Sequence, residues 1–260
     1  MTKVKNILRH ALSPASAGVL VRKLLTRLEP NTAEAATAWA EERATSMSEY
    51  CAGADSELWA EAQREAEALK SAATSVLDTV GVTLGGAGSY PLVYFLVRKR
   101  RPELAVETGV GAGWTTRAIL TAMAANGGGH LLSSDFPYVR IDKAEEYIGI
   151  LVPDGLKSNW TLDTRGDAVA IPRFLQNYAH FDFLHYDSDK SYCGRNQVVE
   201  QLIPRMSDDA VFIMDDIQDN TFFKDFVEKY NLDCRVFEFG GKYVGLIDRI
   251  GAQAADRRDG

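Results

Sequence analysis

The sequence is poor in the residues that staple small or extracellular proteins. Of 260 residues, three are cysteine and four are histidine. Cys51, Cys193 and Cys234 stand far apart in odd number. That excludes a disulfide framework or a thiolate metal motif, and a reducing compartment is expected. No apolar run is long enough to cross a bilayer. The basic N-terminus lacks a signal-peptide core with a small-residue cleavage site, so a cytoplasmic location is expected. An excess of positive charge is also missing. Lys and Arg number 29 against 36 Asp and Glu, a formal net charge of −7, which argues against nucleic acid as a partner. There is no internal repeat and no low-complexity tract. What is present is ordinary globular composition, 46% hydrophobic and 25% charged, with apolar residues enough for one large domain or a domain plus a helical extension.

The chain divides near Gly85. Residues 1–84 are Ala-rich and read as a helical extension, a cap or an oligomerisation element. Asn31 with Glu34 has capping-box spacing, and Asp55 or Ser56 could cap a long helix running to Thr79. Before the first acid, Glu29, come Lys3, Lys5, Arg9, Arg22, Lys23 and Arg27, interleaved with apolar residues. Such a basic amphipathic stretch suits a membrane surface or an acidic partner, or else a solvated helix packed on the body or on a second subunit. Residues 85–250 alternate short apolar runs with amphipathic stretches: LAVE (104–107), HLLSSD (130–135), FDFLHYD (181–187), AVFIMDD (210–216), CRVFEF (234–239) and YVGLID (243–248). This alternation predicts a Rossmann-like, doubly wound α/β fold with a mostly parallel sheet. The last two runs, joined by Gly240, Gly241 and Lys242, predict a hairpin and an antiparallel C-terminal strand. Residues 251–260 are expected to form a disordered tail.

Between the strand at Leu104–Glu107 and a helix at Thr115–Met123 lie Gly109, Gly111 and Gly113. A strand–glycine loop–helix unit lets the backbone approach a ligand and aims helix N–H groups at it. A dinucleotide fingerprint would need a glycine where Trp114 stands. Glu107, two residues before the first glycine, would oppose a pyrophosphate and favour an ammonium group. The pattern therefore prefers a zwitterionic, phosphate-free adenosine ligand.

These residues, E-x-G-x-G-x-G after a strand, resemble the first motif of the class I S-adenosylmethionine-dependent methyltransferases. The resemblance implies that Glu107, Gly109, Gly111, Gly113 and Trp114 border the cofactor. It implies that Asp135, ending the next strand, holds the ribose hydroxyls, and that Gly166, Asp167 and Ala168 form the adenine turn.

A second constellation is carboxylic. Asp187 ends one strand and Asp215 and Asp216 end the next. Adjacent strand residues point to opposite faces, so this pair can converge only where the chain leaves the sheet. Three carboxylates together repel unless a cation sits among them, and oxygen-only donors suit Mg²⁺, with Ca²⁺ or Mn²⁺ as alternatives. The arrangement resembles the metal-dependent O-methyltransferases of catechol, caffeoyl-CoA and natural-product sugars. It implies Asp187, Asp215 and Asp216 as metal ligands, Lys190 or Asp189 as catalytic base, and a hydroxyl of a small molecule, most of all a sugar or other natural product, as acceptor. A homo-oligomer is also expected. His185 could face the site or be a satisfied core histidine. Tyr138, Tyr147, Trp160 and Tyr192 follow strands and could line the acceptor pocket or simply pack.

Overall fold

The structure is a computed structural model and describes residues 29–138 and 141–255. The basic N-terminal stretch and residues 256–260 lie outside the described residues. The chain runs α1 (Ala33–Arg43), β1 (Ala44–Thr45), α2 (Met47–Ala54), α3 (Ser56–Leu77), α4 (Tyr90–Arg100), β2 (Leu104–Thr108), α5 (Trp114–Asn126), β3 (His130–Ser134), β4 (Trp160–Asp163), α6 (Asp167–Asn177), β5 (Phe181–Tyr186), α7 (Tyr192–Leu202), β6 (Met206–Met214), α8 (Phe222–Tyr230), β7 (Arg235–Phe239), β8 (Lys242–Ile247) and α9 (Ile250–Ala255). Eight strands form one sheet in the order β1-β7-β8-β6-β5-β2-β3-β4. All pairings are parallel except those of β8 with β6 and β7. The predicted class is borne out: a doubly wound, mostly parallel sheet with an antiparallel C-terminal strand. The β7–β8 turn is the two-residue Gly240-Gly241, both at positive φ (60° and 78°), which only glycine tolerates freely.

Strand parity sorts the core into two layers. Ala105, Leu131, Phe183, Val211 and Ile213 face α2, α3, α4 and α5. Val106, Leu132, Leu184 and Phe212 face α1, α6, α7, α8 and α9. Each large apolar side chain buried in these layers contributes on the order of 2 kcal/mol. The N-terminal helices belong to both layers: Trp59 and Leu69 of α3 are buried in the first and Trp39 of α1 in the second. Trp59 meets Phe95 edge-on at 5.9 Å.

Asp55 caps α3, accepting from the Leu58 N–H at 3.0 Å. The start of α1 departs from the predicted capping box. Thr32 stands at its N-cap without a side-chain bond, and Asn31 accepts from Ala33 N–H at 3.2 Å. Two strands escaped prediction. β1 has two residues at the sheet edge, and β4 is an edge strand in which only Asp163 is buried. Neither carries the apolar run that marks a central strand.

Candidate active site

The carboxyl ends of β2, β3, β5 and β6 open on the same side of the sheet, where ligands bind in open α/β folds. Gly109, Gly111 and Gly113 follow β2, all at positive φ. A Cβ on Gly109 would sit 2.4 Å from the Asp187 carbonyl oxygen, so this glycine lets the glycine-rich loop lie against the loop after β5. Trp114 opens α5 and packs on Tyr90, ring centroids 5.4 Å apart.

Asp135 turns back onto the glycine loop. One oxygen accepts from Val110 and Gly111 N–H (3.1 and 2.7 Å) and the other from Phe136 N–H at 2.6 Å. Burial pushes its carboxyl up to about 6, against the pull of the Gly111 and Phe136 amides. Gly166 N–H donates to the Asp135 carbonyl at 2.9 Å. Asp167 accepts from Ser134 and Ser188 hydroxyls, and Ala168 follows it in the first turn of α6. The sequence-predicted ribose acid and adenine turn thus stand side by side.

Glu107 is fully buried. It accepts from the hydroxyls of Thr115, Thr116 and Ser133 (2.8, 2.7 and 2.8 Å), which tie β2 to α5 and β3 beneath the glycine loop. His185, its neighbour across the β2–β5 ladder, is also fully buried. Its Nδ1 lies 3.7 Å from Glu107 and its Nε2 3.2 Å from Asp215. Burial disfavours the imidazolium, but the two flanking carboxylates outweigh it and hold the ring's pKa up at about 10. His185 is thus a core histidine held between Glu107 and Asp215.

Asp187, Asp215 and Asp216 do gather. With Gly86, Ala87, Gly88, Ser89, Phe239, Lys242 and Val244 they line one cavity. Asp216 has a φ of 56°, the left-handed turn that takes the chain out of the sheet and lets neighbouring aspartates point to one side. Asp215 accepts from Ser89 Oγ at 3.2 Å. Lys190 Nζ bridges Asp187 and Asp216, 2.9 Å from the latter. Lys242 Nζ lies 2.8 Å from the other Asp216 oxygen. Burial lowers the Lys190 pKa, but Asp187 and Asp216 more than offset this and hold it above that of a free lysine. Burial and the Asp215 charge raise the Asp187 carboxyl, against Lys190 and His185. Asp189 turns the other way: it accepts from Ser191 N–H at 3.0 Å at the start of α7.

Beneath this cluster Arg195, fully buried, donates to the Asp216 carbonyl at 2.6 Å and to Asn220 at 3.3 Å. Asn220 donates to the Lys190 carbonyl at 2.7 Å, which locks the two loops together. Sequence reasoning missed Ser89, Lys242, Arg195 and Asn220, which reach the site from elements with no motif of their own.

The predicted divalent-metal site is not formed. Among the described residues, no three His, Cys, Asp or Glu side chains are grouped so as to hold a metal ion. The donors are chemically suitable, but Lys190, Lys242, Ser89 and His185 occupy them. The arrangement does not fit Mg²⁺.

Residues 106–217 match the model of a family described as a methyltransferase domain. The fold is shared with the O-methyltransferase TomG of Streptomyces achromogenes, involved in tomaymycin synthesis. That likeness has a TM-score of 0.53 at 15% identity, covering 70% of this chain and 89% of that one. An O-methyltransferase from Bacillus cereus has a TM-score of 0.52 at 13% identity, covering 80% and 99%. A methyltransferase from Geobacter sulfurreducens has a TM-score of 0.51 at 17% identity, covering 70% and 87%. A comparison with curated proteins finds no match. Residues 106–217 are thus similar to a methyltransferase domain, set in the fold that these methyltransferases share. Among the described residues no helix is long and apolar enough to cross a membrane.

Proposed function

We propose that the protein transfers a methyl group from S-adenosylmethionine to a hydroxyl of a small, polyhydroxylated acceptor such as a sugar or other natural product. The observation that carries this reading is the juxtaposition of two half-sites. The glycine loop with Asp135 and the Gly166–Ala168 turn meets the carboxylate-lined cavity where Gly109 lies against Asp187.

The cofactor cradle suits its ligand. Asp135 is an acceptor-only group beside an open glycine backbone, as two ribose hydroxyls require, and Glu107 braces the loop from below. When bound, the cofactor supplies an electrophilic methyl on a sulfonium. The chain must hold the acceptor oxygen in line and help it lose a proton. The cavity wall offers carboxylates, an ammonium and glycine backbone, with Phe239 and Val244 as its larger apolar side chains. That lining favours a ligand with several hydroxyls.

Of the two predicted bases, Lys190 lines the cluster and Asp189 does not. Lys190 is held protonated, so it serves as the cation that orients Asp187. Asp187, with its raised proton affinity, receives the acceptor proton. Mg²⁺ has no part in this reading.

The test is release of S-adenosylhomocysteine from purified protein given S-adenosylmethionine and a panel of sugars, polyols, catechols, amines and thiols. Methylation of sugar or polyol hydroxyls is expected. Transfer to catechols alone would move the acceptor to the phenolic class, and transfer to nitrogen or sulfur alone would overturn the reading.

A further inference from the structure

Three carboxylates at one cavity call for positive charge, and the chain supplies it from two elements. Lys190 is delivered by the loop after β5, three residues beyond Asp187, and it bridges Asp187 and Asp216. Lys242 is delivered from the opposite side. The tight Gly240-Gly241 turn makes it the first residue of β8, paired with Phe239. From there its ammonium reaches the remaining Asp216 oxygen at 2.8 Å. Both Asp216 oxygens are therefore ion-paired to lysine. Asp215 is committed elsewhere, to Ser89 and His185. A Cβ on Gly88 would meet its Oδ2 at 2.2 Å, so the 86–89 segment is pressed against that carboxylate. A divalent ion entering here would meet two ammonium groups on its own ligands, and like charges at that range oppose binding.

We infer that the ammonium groups of Lys190 and Lys242 take the place of a divalent cation among Asp187, Asp215 and Asp216, and that methyl transfer by this protein is metal-independent. The inference rests on the methyltransferase reading and goes beyond it. The resemblance to metal-dependent enzymes extends to the acids and to Lys190, whereas Lys242 adds a second counter-charge from the hairpin.

Binding of Mn²⁺, followed by its electron paramagnetic resonance signal, tests this without knowledge of the acceptor. The samples are the full chain and its Lys242→Met and Lys242→Gln variants, each with S-adenosylhomocysteine titrated in parallel. Lys242 is half-exposed at a strand start, so both variants are expected to fold. In the wild type Mn²⁺ is expected to stay free into the millimolar range. Loss of one ammonium should tighten binding by about tenfold or more. Micromolar Mn²⁺ binding by the wild type would overturn the inference, as would variants that bind Mn²⁺ no better than wild type. Loss of S-adenosylhomocysteine binding across all three samples is a separate result, and it would sink the methyltransferase reading instead.

Discussion

On the proposed function, Asp135 is the residue that accepts from the ribose hydroxyls of the cofactor. Its carboxylate must be ionised to accept from two hydroxyls, yet burial raises its pKa to about 6. For an acid raised in the folded state, the native protein binds the proton more tightly than the unfolded chain. The stability contribution of Asp135 therefore falls as pH rises from about 4 through 6, while its capacity to accept grows. S-adenosylhomocysteine affinity is expected to drop as pH falls below about 6. Asp135→Asn should weaken binding by about tenfold at neutral pH and flatten that pH dependence, both measurable by calorimetric titration. An Asp135→Asn variant with wild-type affinity and an unchanged pH profile would contradict the assignment. His185 poses the complementary case. His185→Phe would leave Glu107 and Asp215 without their shared partner in the core, at a cost of about 3 kcal/mol, read as a lowered denaturation midpoint. The glycine loop was legible because its positive-φ turns favour glycine, and Asp135 because it stands at a strand end, where it accepts from the Val110 and Gly111 amides. Lys242 was not legible. Its role depends on a hairpin folding back over β6, and nothing in its neighbours marks it.

At the scale of elements, the glycine loop and the loop after β5 are one packed unit. Gly109 has a φ of 82°, and a Cβ there would strike the Asp187 carbonyl. Gly109→Ala should therefore destabilise by roughly 1–3 kcal/mol through backbone strain. It should also displace Asp187, so that chemical denaturation and turnover both suffer. Unchanged stability would mean that the two half-sites do not touch. The central strands were readable because burial on both faces makes continuous apolar runs, and the turn at Gly240-Gly241 followed from its dipeptide. The edge strand β4 escaped because a half-exposed strand of four residues, Trp160–Asp163, has too short a pattern. The counter-charges of the three aspartates were hidden for a related reason. The sequence shows where three aspartates leave the sheet but not which cations the loops and the hairpin bring to meet them.

For the whole molecule, the helices before Gly85 are part of the core. Trp59 packs on Phe95 of α4, Trp39 packs on Phe223 of α8, and β1 covers the β7 edge. Thermal unfolding of the full chain is expected to be a single cooperative step. Trp59→Ala should cost about 3 kcal/mol and shift tryptophan fluorescence and circular dichroism transitions together. Separate transitions, with only the first moved, would mean that the N-terminal helices are an independent cap.

The proposed function requires that the glycine loop, Asp135 and the Gly166–Ala168 turn form a cradle for S-adenosylmethionine rather than for a dinucleotide. Parallel calorimetric titrations of the full chain with S-adenosylhomocysteine and with NAD test it most directly. Micromolar, one-to-one binding of S-adenosylhomocysteine in the presence of EDTA and no measurable binding of NAD are expected. Saturable NAD binding with no response to S-adenosylhomocysteine would contradict it.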